Sequence, residues 1–531
     1  MTTLQFKIGF NPRGAYDNLA TYNTRDTVFS GGNQYECISD NTVGILPTNT
    51  NNWRIFAEGN LNTINSATDA PRSNARVTKL FSNNGQFSTC SLMAGGEVVK
   101  RGYGGNYNMG DGNSSTMTFA NVALPSSFAN ETIKQVTGSQ ESNYLVTNSG
   151  QVWVWGLNGN GQLGQGNTSG VILPTKIQYF EDNGITISKV ILSKGTDNLF
   201  GGNWENWTAV TAYFLSTTGK LYGCGYNGYG QLGQGNTTQQ ATPVEIEPTK
   251  TFTQISASVN IFTSLFAIDD AGNLWSCGIN DNGVLGLGTT TTITTLTQVT
   301  LPEAVNDIIV TAGKVESTSG SIGAFAIAKG VSGAIYTCGN GAYGQLGDGT
   351  TTQRTSFNQI AISSLGTDNA SIFANNGGYY GSAGVIKTDG SVRIWGSNSY
   401  GVLGNGTTTN SSSPIAITFN NTTSTVTKVV ACGTRIFTTF AFLFADGSVE
   451  TTGYAGNAMR GNGSYYDNYF PTKILTTANI VDVQPWGFGS NGGFAALDNK
   501  GLEYVWGYTG SNYISGTTLN AVLPSPTLIR H

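Results

Sequence analysis

Apolar residues along this chain fall in short segments without a helical period, and tight turns join the segments in pairs. SLFAID and NLWSCG, within residues 264–278, form one such pair and are rich in β-branched and aromatic residues. A glycine ends the turn in nearly every pair, where it supplies the positive φ that a tight hairpin needs. These glycines are Gly150, Gly219, Gly272, Gly333, Gly390, Gly447 and Gly501. The pattern predicts a series of β-hairpins.

Each hairpin leads into a glycine-spaced cassette, seen most clearly as GYNGYGQLGQG at residues 225–235. A polar Thr/Asn stretch follows, and then usually a proline with a short apolar strand such as PTKI at residues 174–177. The unit therefore reads strand, strand, strand, cassette, strand. The cassettes begin at Gly102, Gly156, Gly225, Gly278, Gly339, Gly396, Gly453 and Gly507. Their spacing of 53 to 69 residues is right for four-stranded propeller blades and too long for helical hairpin repeats.

The repeat predicts an all-β chain with a β-propeller of eight four-stranded blades over residues 77–531. The first unit begins near Val77 and the last near Ile480, with no half unit at either end. The cassette at Gly453, GYAGNAMRGNG, has lost the Gln-Leu pair, and the one at Gly507 is distorted further. Seven blades is therefore the alternative.

The cassette GxNxxGQLGxG followed by a proline-led strand resembles the regulator of chromosome condensation repeat family. The resemblance covers residues 77–531 and is most specific at Gly156, Gly225 and Gly339. It implies a propeller, usually of seven blades, that binds other proteins. Some members of the family act as nucleotide exchange factors for a small GTPase, and others inhibit enzymes.

Residues 10–59 do not share the repeat and form a small β domain of their own in this interpretation. Their order of aromatic, glycine and proline residues resembles a chitin-binding type of carbohydrate-binding module. The resemblance implies that Tyr22, Tyr35 and Trp53 stack against sugar rings, with Tyr35 as a core residue in the alternative interpretation. Residues 1–9 are then an N-terminal arm, and the polar residues 60–76 a linker.

The insertions between first and second strands of the propeller carry several aromatic residues. We take Trp204, Trp207, Tyr379, Tyr380 and Trp486 as candidates for a ligand-binding face. The alternative is that these rings fold back and cover the tops of the blades.

The composition argues against nucleic acid and membrane partners. The net charge is −5, only 11% of residues are charged, and Lys and Arg form no cluster that would suit a phosphate backbone. No stretch of about 20 apolar residues suggests membrane insertion, and the N-terminus lacks the pattern of a signal peptide.

The sequence lacks the residues that several common kinds of catalytic and metal site require. The single histidine is His531, which excludes histidine-based triads and leaves no Cys/His cluster for a metal. Cys224, Cys277 and Cys338 share the position just before the cassette glycine and are predicted to be buried. Asp269 and Asp348 are typical turn residues, so a glycan-cleaving carboxylate pair is the weaker interpretation. We predict no enzyme activity, no cofactor and no metal.

The low charge, the Asn/Thr/Gly richness and the carbohydrate-module resemblance favour a virion protein, such as a phage tail fibre or surface appendage. It would be made in the host cytoplasm and reside in the virion. Its partners would be other virion proteins and a polysaccharide or receptor of the host surface, and homo-oligomers are possible. The alternative is a protein-interaction propeller of the GTPase-regulator or inhibitor type without a virion role.

Overall fold

The computed structural model describes residues 11–15, 26–30, 33–37, 53–57, 76–81, 88–102, 110–111, 119–128, 131–139, 142–193, 210–258, 263–311, 324–375, 380–433, 437–467, 469–474, 476–488, 491–508 and 522–529. The chain divides into two compact units, Met1–Ala75 and Arg76–His531.

The N-terminal unit contains one four-stranded sheet. Its strands are β1 (Asn11–Ala15), β2 (Asp26–Ser30), β3 (Asn33–Cys37) and β4 (Trp53–Ala57), in that order across the sheet. β1 and β2 are parallel, whereas β2, β3 and β4 are antiparallel. Tyr35 lies on β3 and Trp53 begins β4, but their side chains and the whole of Tyr22 lie outside the described residues. The sugar-stacking role of the three rings stays a prediction.

The larger unit is a propeller of eight blades, as the cassette count predicted. Each blade is an antiparallel sheet of four strands that follow one another in the chain. Blades 1 to 4 comprise β5 (Val77–Phe81), β6 (Ser88–Met93), β7 (Val98–Gly102), β8 (Phe119–Asn121); β9 (Ile133–Gly138), β10 (Ser142–Thr147), β11 (Val152–Gly156), β12 (Val171–Lys176); β13 (Ile187–Leu192), β14 (Thr211–Ser216), β15 (Leu221–Gly225), β16 (Gln240–Ile246); and β17 (Phe252–Ala257), β18 (Ser264–Asp269), β19 (Leu274–Gly278), β20 (Ile293–Gln298).

Blades 5 to 8 repeat the arrangement. They comprise β21 (Val305–Val310), β22 (Phe325–Gly330), β23 (Ile335–Gly339), β24 (Arg354–Gln359); β25 (Asn369–Ala374), β26 (Ser382–Lys387), β27 (Val392–Gly396), β28 (Ser411–Ala416); β29 (Val426–Cys432), β30 (Thr439–Phe444), β31 (Val449–Gly453), β32 (Thr472–Lys473); and β33 (Ile480–Phe488), β34 (Asn491–Asp498), β35 (Glu503–Tyr508), β36 (Val522–Leu528). Seven is therefore the wrong blade number.

Helices are few and short in the described part of the propeller. They are α1 (Gln178–Asp182), α2 (Ile362–Leu365) and the 3-10 turns Ser126–Phe128, Asp281–Gly283, Ser399–Gly401 and Gly456–Ala458. No helix among the described residues has the length and apolar character needed to cross a membrane.

The first strand of each blade lies innermost, and each inner strand contacts the inner strands of the neighbouring blades. The first residue of each inner strand is buried, as Ile187 and Ile480 illustrate. The third residue is polar in every blade and stays accessible to water. These third residues are Lys79, Gln135, Lys189, Gln254, Asp307, Ser371, Lys428 and Asp482. The inner strands thus surround a polar central channel.

Neighbouring blades are joined by a hydrogen bond at one repeated position, the residue just before the cassette glycine. Trp395 Nε1 donates to Gln345 O at 2.9 Å, and Cys224 Sγ donates to Gln162 O at 3.1 Å, each into the cassette of the preceding blade. The thiols of Cys277 and Cys338 do the same. The prediction that these three cysteines are buried is confirmed, and each also acts as a donor between blades.

The glycines of the cassette are required by the same packing. Gly347 has φ +66°, and a Cβ placed there would lie 2.7 Å from Nε1 of Trp395 in the next blade. Gly461 has φ +67°, and its Cβ would meet Trp506 at the same distance. Any side chain at these positions would separate two blades.

The ring is closed by side-chain packing between blades 8 and 1 rather than by a strand shared between the two ends of the propeller. Trp486 and Leu497 of blade 8 pack with Val77 and Leu80 of blade 1 in one buried cluster. Val77 N also donates to Gly501 O at 2.9 Å. Blade 1 and blade 8 are therefore each a complete four-stranded sheet, and neither contributes a strand to the other.

A buried ion pair lies in the closing interface. Arg101 Nη1 of β7 donates to Glu503 Oε2 of β35 at 3.0 Å, and both side chains are almost fully buried. Ser91 Oγ donates to the same carboxylate oxygen at 2.7 Å. The two ends of the propeller sequence are thus connected through one carboxylate.

Candidate functional site

The cassettes of blades 3, 5 and 6 each carry a tyrosine that contacts a second aromatic ring. Tyr229 lies against Tyr226 with ring centroids 6.2 Å apart, and Tyr343 lies 4.7 Å from Tyr380. Tyr229, Tyr343 and Tyr380 are half-buried. These pairs brace the cassettes and leave ring edges accessible to water.

The densest of these contacts joins blades 6 and 7. Tyr400 of the blade 6 cassette contacts Phe437 and Tyr454 of blade 7, with centroid distances of 6.0 and 5.0 Å, and the last two lie 4.9 Å apart. Tyr400 has φ +59°, a left-handed conformation that costs a non-glycine residue about 1 kcal/mol. Asn282 and Asn457 have φ +59° and +56° at the same cassette position, so the cassette itself favours this conformation.

The predicted ligand face is only partly within the described residues. Trp204, Trp207 and Tyr379 lie outside them. Tyr380 is half-buried against Tyr343. Trp486 is 2% exposed in the core between blades 8 and 1, so it does not present a ring to a ligand. The prediction that Trp486 is a surface residue is wrong. The sequence predicts a loop here, but strand β33 extends through this residue.

A different set of aromatic residues is exposed, in the connection between β31 and β32 of blade 7. Tyr465, Tyr466, Tyr469 and Phe470 are 52%, 84%, 39% and 58% exposed. We call these four residues the blade-7 aromatic surface. Exposed rings of this size are costly to keep in water unless a partner covers them, and aromatic residues are enriched where proteins bind one another.

Comparison with the other blades shows that the fold does not require these rings. Tyr469 packs on Gly401, and Phe470 packs on Gly406, both in the cassette of blade 6. In blades 3 to 6 the residues that contact the equivalent glycines are small: Ala241 and Thr242, Thr294 and Thr295, Thr355 and Ser356, and Ser412 and Ser413. Small residues therefore meet the packing requirement, and the rings of blade 7 exceed it.

Arg460 is buried next to the blade-7 aromatic surface and bonds to its backbone at Phe470. It occupies the cassette position where blades 2 to 6 have a fully buried leucine, and it is itself fully buried. Its Nη2 donates to Phe470 O at 2.6 Å, Thr472 Oγ1 at 2.5 Å and Thr451 O at 3.1 Å. Burial lowers the pKa of Arg460 to about 10, and Asp467 offsets part of this change. The guanidinium stays charged at neutral pH and fixes the backbone of the aromatic segment.

The missing Gln-Leu pair at the Gly453 cassette was the sequence signal for this site. Met459 and Arg460 stand where the cassettes of blades 2 to 6 have Gln-Leu or Val-Leu, and four aromatic residues follow within ten positions. The sequence interpretation treated the change as decay of the repeat and did not select the tyrosines.

The carboxylates considered for catalysis serve turns. Asp269 Oδ1 accepts hydrogen bonds from the backbone N–H groups of Ala271 and Asn273, and Oδ2 accepts one from Trp275 Nε1. Burial raises the pKa of Asp269, but these hydrogen bonds outweigh it and the net pKa is lowered. A carboxyl group held in its ionised form is unsuited to act as a general acid. Among the described residues, no three His, Cys, Asp or Glu side chains lie together as a metal site would need.

Known proteins share the repeat and the fold. The family model of the regulator of chromosome condensation (RCC1) repeat matches residues 149–192, 218–263 and 389–438. The chain is 27% identical over 388 residues to the ultraviolet-B receptor UVR8 of Arabidopsis thaliana. The aligned residues make up 73% of this chain and 67% of the receptor. It is also 31% identical over 150 residues to the X-linked retinitis pigmentosa GTPase regulator of Mus musculus. These residues make up 28% of this chain and 13% of that protein.

A solved structure with a similar fold is that of human WBSCR16. It matches with a TM-score of 0.52 and 18% identity, and the match covers 73% of this chain and 92% of that chain. RCC1 repeats are thus matched in three segments of the propeller, and the solved structure shares its fold.

These relatives correct the expected function. A virion adhesion protein is the wrong interpretation, because the related proteins are a plant receptor and a mammalian GTPase regulator. They favour the alternative, a propeller that interacts with other proteins. Binding to virion proteins or to host polysaccharide finds no support in them. The composition that suggested a virion protein reflects the repeat itself, because Gly, Asn and Thr fill the cassettes and the stretches that follow them.

Proposed function

We propose that this chain is a protein-binding propeller whose principal contact is the blade-7 aromatic surface. The observation that carries the proposal is the exposure of four aromatic rings between residues 465 and 470, where blades 3 to 6 have small residues at the positions of Tyr469 and Phe470. Rigid aromatic residues bury much area at little cost in conformational entropy, which suits them as anchors of an interface. Regulation of a GTPase and inhibition of an enzyme are two forms that such binding could take.

The surface is well prepared for binding. Arg460 fixes the backbone at Phe470, and Tyr469 rests on Gly401 beside the cluster of Tyr400, Phe437 and Tyr454. An anchor that is already ordered loses little freedom when a partner arrives. The most exposed ring, Tyr466, is available for the first contact.

The first test replaces two of the rings with the residues of blade 6. A photo-crosslinking amino acid at position 466 identifies the partner, and its affinity is then measured for the Tyr469→Ser/Phe470→Ser variant. We expect the affinity to fall about 30-fold or more, the usual cost of removing interface anchors. The fold should tolerate the change, because Ser412 and Ser413 occupy these positions in blade 6.

Blade 2 supplies the matched control. Ile172 and Leu173 precede Pro174 as Tyr469 and Phe470 precede Pro471, and they are 43% and 47% exposed. The Ile172→Ser/Leu173→Ser variant removes similar exposed apolar area and should keep the affinity. The proposal is wrong if both double variants bind the crosslinked protein as wild type does, or if both lose it equally.

A second test returns the cassette of blade 7 to the repeat. Arg460→Leu restores the residue of blades 2 to 6, and because it exchanges a buried charge for an apolar side chain it should leave stability unchanged or raise it by about 1 to 4 kcal/mol. The same change removes the donor to Phe470 O, so the affinity for the partner should fall about tenfold.

The opposite signs of the two effects make the Arg460→Leu result specific. Urea titration reports stability and a direct binding measurement reports affinity. Met459→Val is the control, because it gives the neighbouring position the residue of blades 4 and 6 and leaves Arg460 in place. Undiminished affinity in Arg460→Leu would show that the tether has no part in binding.

A further inference from the structure

The central channel contains a cavity with an uneven distribution of charge. The inner strands of blades 1 to 5, together with Gln484 of blade 8, line a space of about 550 Å³. This volume lies within the range of small-molecule sites. Lys79, Lys134 and Lys189 of blades 1 to 3 line it, and Asp307 of blade 5 is the acidic residue among the lining residues. The wall therefore carries a net charge of about +2 in a chain whose net charge is −5.

Several polar residues of the inner ring bond to the next blade. Gln135 exchanges two hydrogen bonds with the backbone of Val190, and Gln254 Nε2 donates to Asp307 Oδ1 at 2.7 Å. Lys428 pairs with Asp482 at 2.6 Å outside the cavity. These contacts engage the amides of Gln135 and Gln254 and the carboxylates of Asp307 and Asp482.

Lys189 is different. Its neighbour in the ring, Gln254, is engaged with Asp307, and Lys189 Nζ has no hydrogen-bond partner among the described residues. The side chain is exposed to the channel, yet the surrounding wall lowers the pKa of Lys189 by desolvation, with Asp307 offsetting part of the change. Lys79 Nζ donates to Lys134 O at 2.8 Å and lies over the Phe81 ring, which leaves donor capacity toward the channel.

We propose that the central channel binds a small polyanion, bearing phosphate or carboxylate groups, with Lys189 as the main anchor and Lys79 and Lys134 as supporting cations. An ammonium group makes a compact charge with three donors, which suits such oxygens. The anion would satisfy the Lys189 donors and offset the excess positive charge of blades 1 to 3. This site is independent of the blade-7 aromatic surface.

The test is calorimetric titration of the full chain with two probes, pyrophosphate and citrate. We expect one site per chain for at least one probe, and the stronger probe identifies the chemistry of the ligand. Lys189→Gln, which copies the ring residue of blades 2 and 4, should weaken binding roughly tenfold or more. Asp307→Asn should tighten it roughly threefold, because it removes the opposing charge.

Two further variants separate a specific anchor from general electrostatics and from misfolding. Lys220→Gln makes the same charge change on the outer surface of blade 3, where Lys220 pairs with Glu245, and should bind as wild type. Lys189→Arg keeps the charge and should bind within threefold of wild type. The proposal fails if neither probe binds the wild-type chain, if Lys189→Gln binds as well as wild type, or if Lys220→Gln loses as much affinity as Lys189→Gln.

Discussion

Replacing Glu503 with alanine is expected to destabilise the propeller by about 3 to 5 kcal/mol. The Glu503 carboxylate accepts hydrogen bonds from Arg101 Nη1 and Ser91 Oγ across the interface between blades 8 and 1. Both charged side chains are nearly inaccessible to water, so removal of the acid breaks an ion pair of the buried Arg101 guanidinium. The loss would fall on the one interface that closes the ring, and the free energy of unfolding from urea titration would report it.

A surface ion pair provides the comparison. Lys220 Nζ and Glu245 Oε1 are 3.6 Å apart, and about a third of each side chain is exposed. Glu245→Ala should therefore cost no more than about 1 kcal/mol. A Glu503→Ala variant within 1 kcal/mol of wild type would show that packing of Trp486 and its neighbours closes the ring without help from the ion pair.

The blade number could be predicted from sequence because one packing rule repeats. In the described cassettes a glycine meets a side chain of the next blade, so Gly347 and Gly461 recur in step with Trp395 and Trp506. A requirement of this kind leaves a period in the sequence. The burial of Cys224 could be predicted for the same reason, since it shares its position with those tryptophans.

Contacts that occur only once in the fold, between residues distant in sequence, leave no periodic pattern in the sequence. Arg101 and Glu503 are 402 residues apart and differ from the residues at equivalent positions of other blades. Lys79, Lys134 and Lys189 are isolated in the sequence, so the chain shows no basic cluster, yet the ring brings them to one cavity. Positions that serve function depart from the repeat, and a departure alone does not reveal what it contacts.

The aromatic residues illustrate the same limit. Trp486 is predicted to lie in a loop between first and second strands, but β33 buries it, because the strand's length cannot be read from its apolar pattern. Tyr466 was overlooked although it is the most exposed of the blade-7 rings. A comparison of each blade with the repeat, position by position, would have found Tyr469 and Phe470 opposite serine and threonine.

The thiols between blades give the propeller a steep sensitivity to alkaline pH. Burial raises the pKa of Cys224, Cys277 and Cys338, each of which is fully buried. In the unfolded chain a thiol ionises near pH 8.5. Each thiol therefore contributes stability that is complete below this pH and is lost as the pH rises toward the folded-state pKa. The slope is about 1.4 kcal/mol per pH unit for each thiol, or about 4 kcal/mol for the three.

The effects of two other buried groups, Cys90 and Lys100, on the pH dependence of stability nearly cancel. Burial raises the pKa of Cys90 to about 11, which gives the same sign as the other thiols. Burial lowers the pKa of Lys100 to about 8, so its contribution to stability increases between pH 8 and about 10.4, where the unfolded lysine loses its proton. The two slopes are opposite and similar in size between pH 9 and 10. The three interblade thiols then dominate the change in stability.

We therefore expect the free energy of unfolding to fall by about 4 kcal/mol per pH unit above pH 9, and more steeply above pH 10, where the buried tyrosines Tyr144 and Tyr213 add to the loss because burial raises their pKa. The triple variant Cys224→Ala/Cys277→Ala/Cys338→Ala should lose most of the slope between pH 9 and 10 while Cys90 and Lys100 remain. Urea titrations at pH 7, 9 and 10 under reducing conditions measure the difference. An equal slope in wild type and triple variant would mean that the thiols ionise in the folded ring, and that the interblade donors are open to solvent.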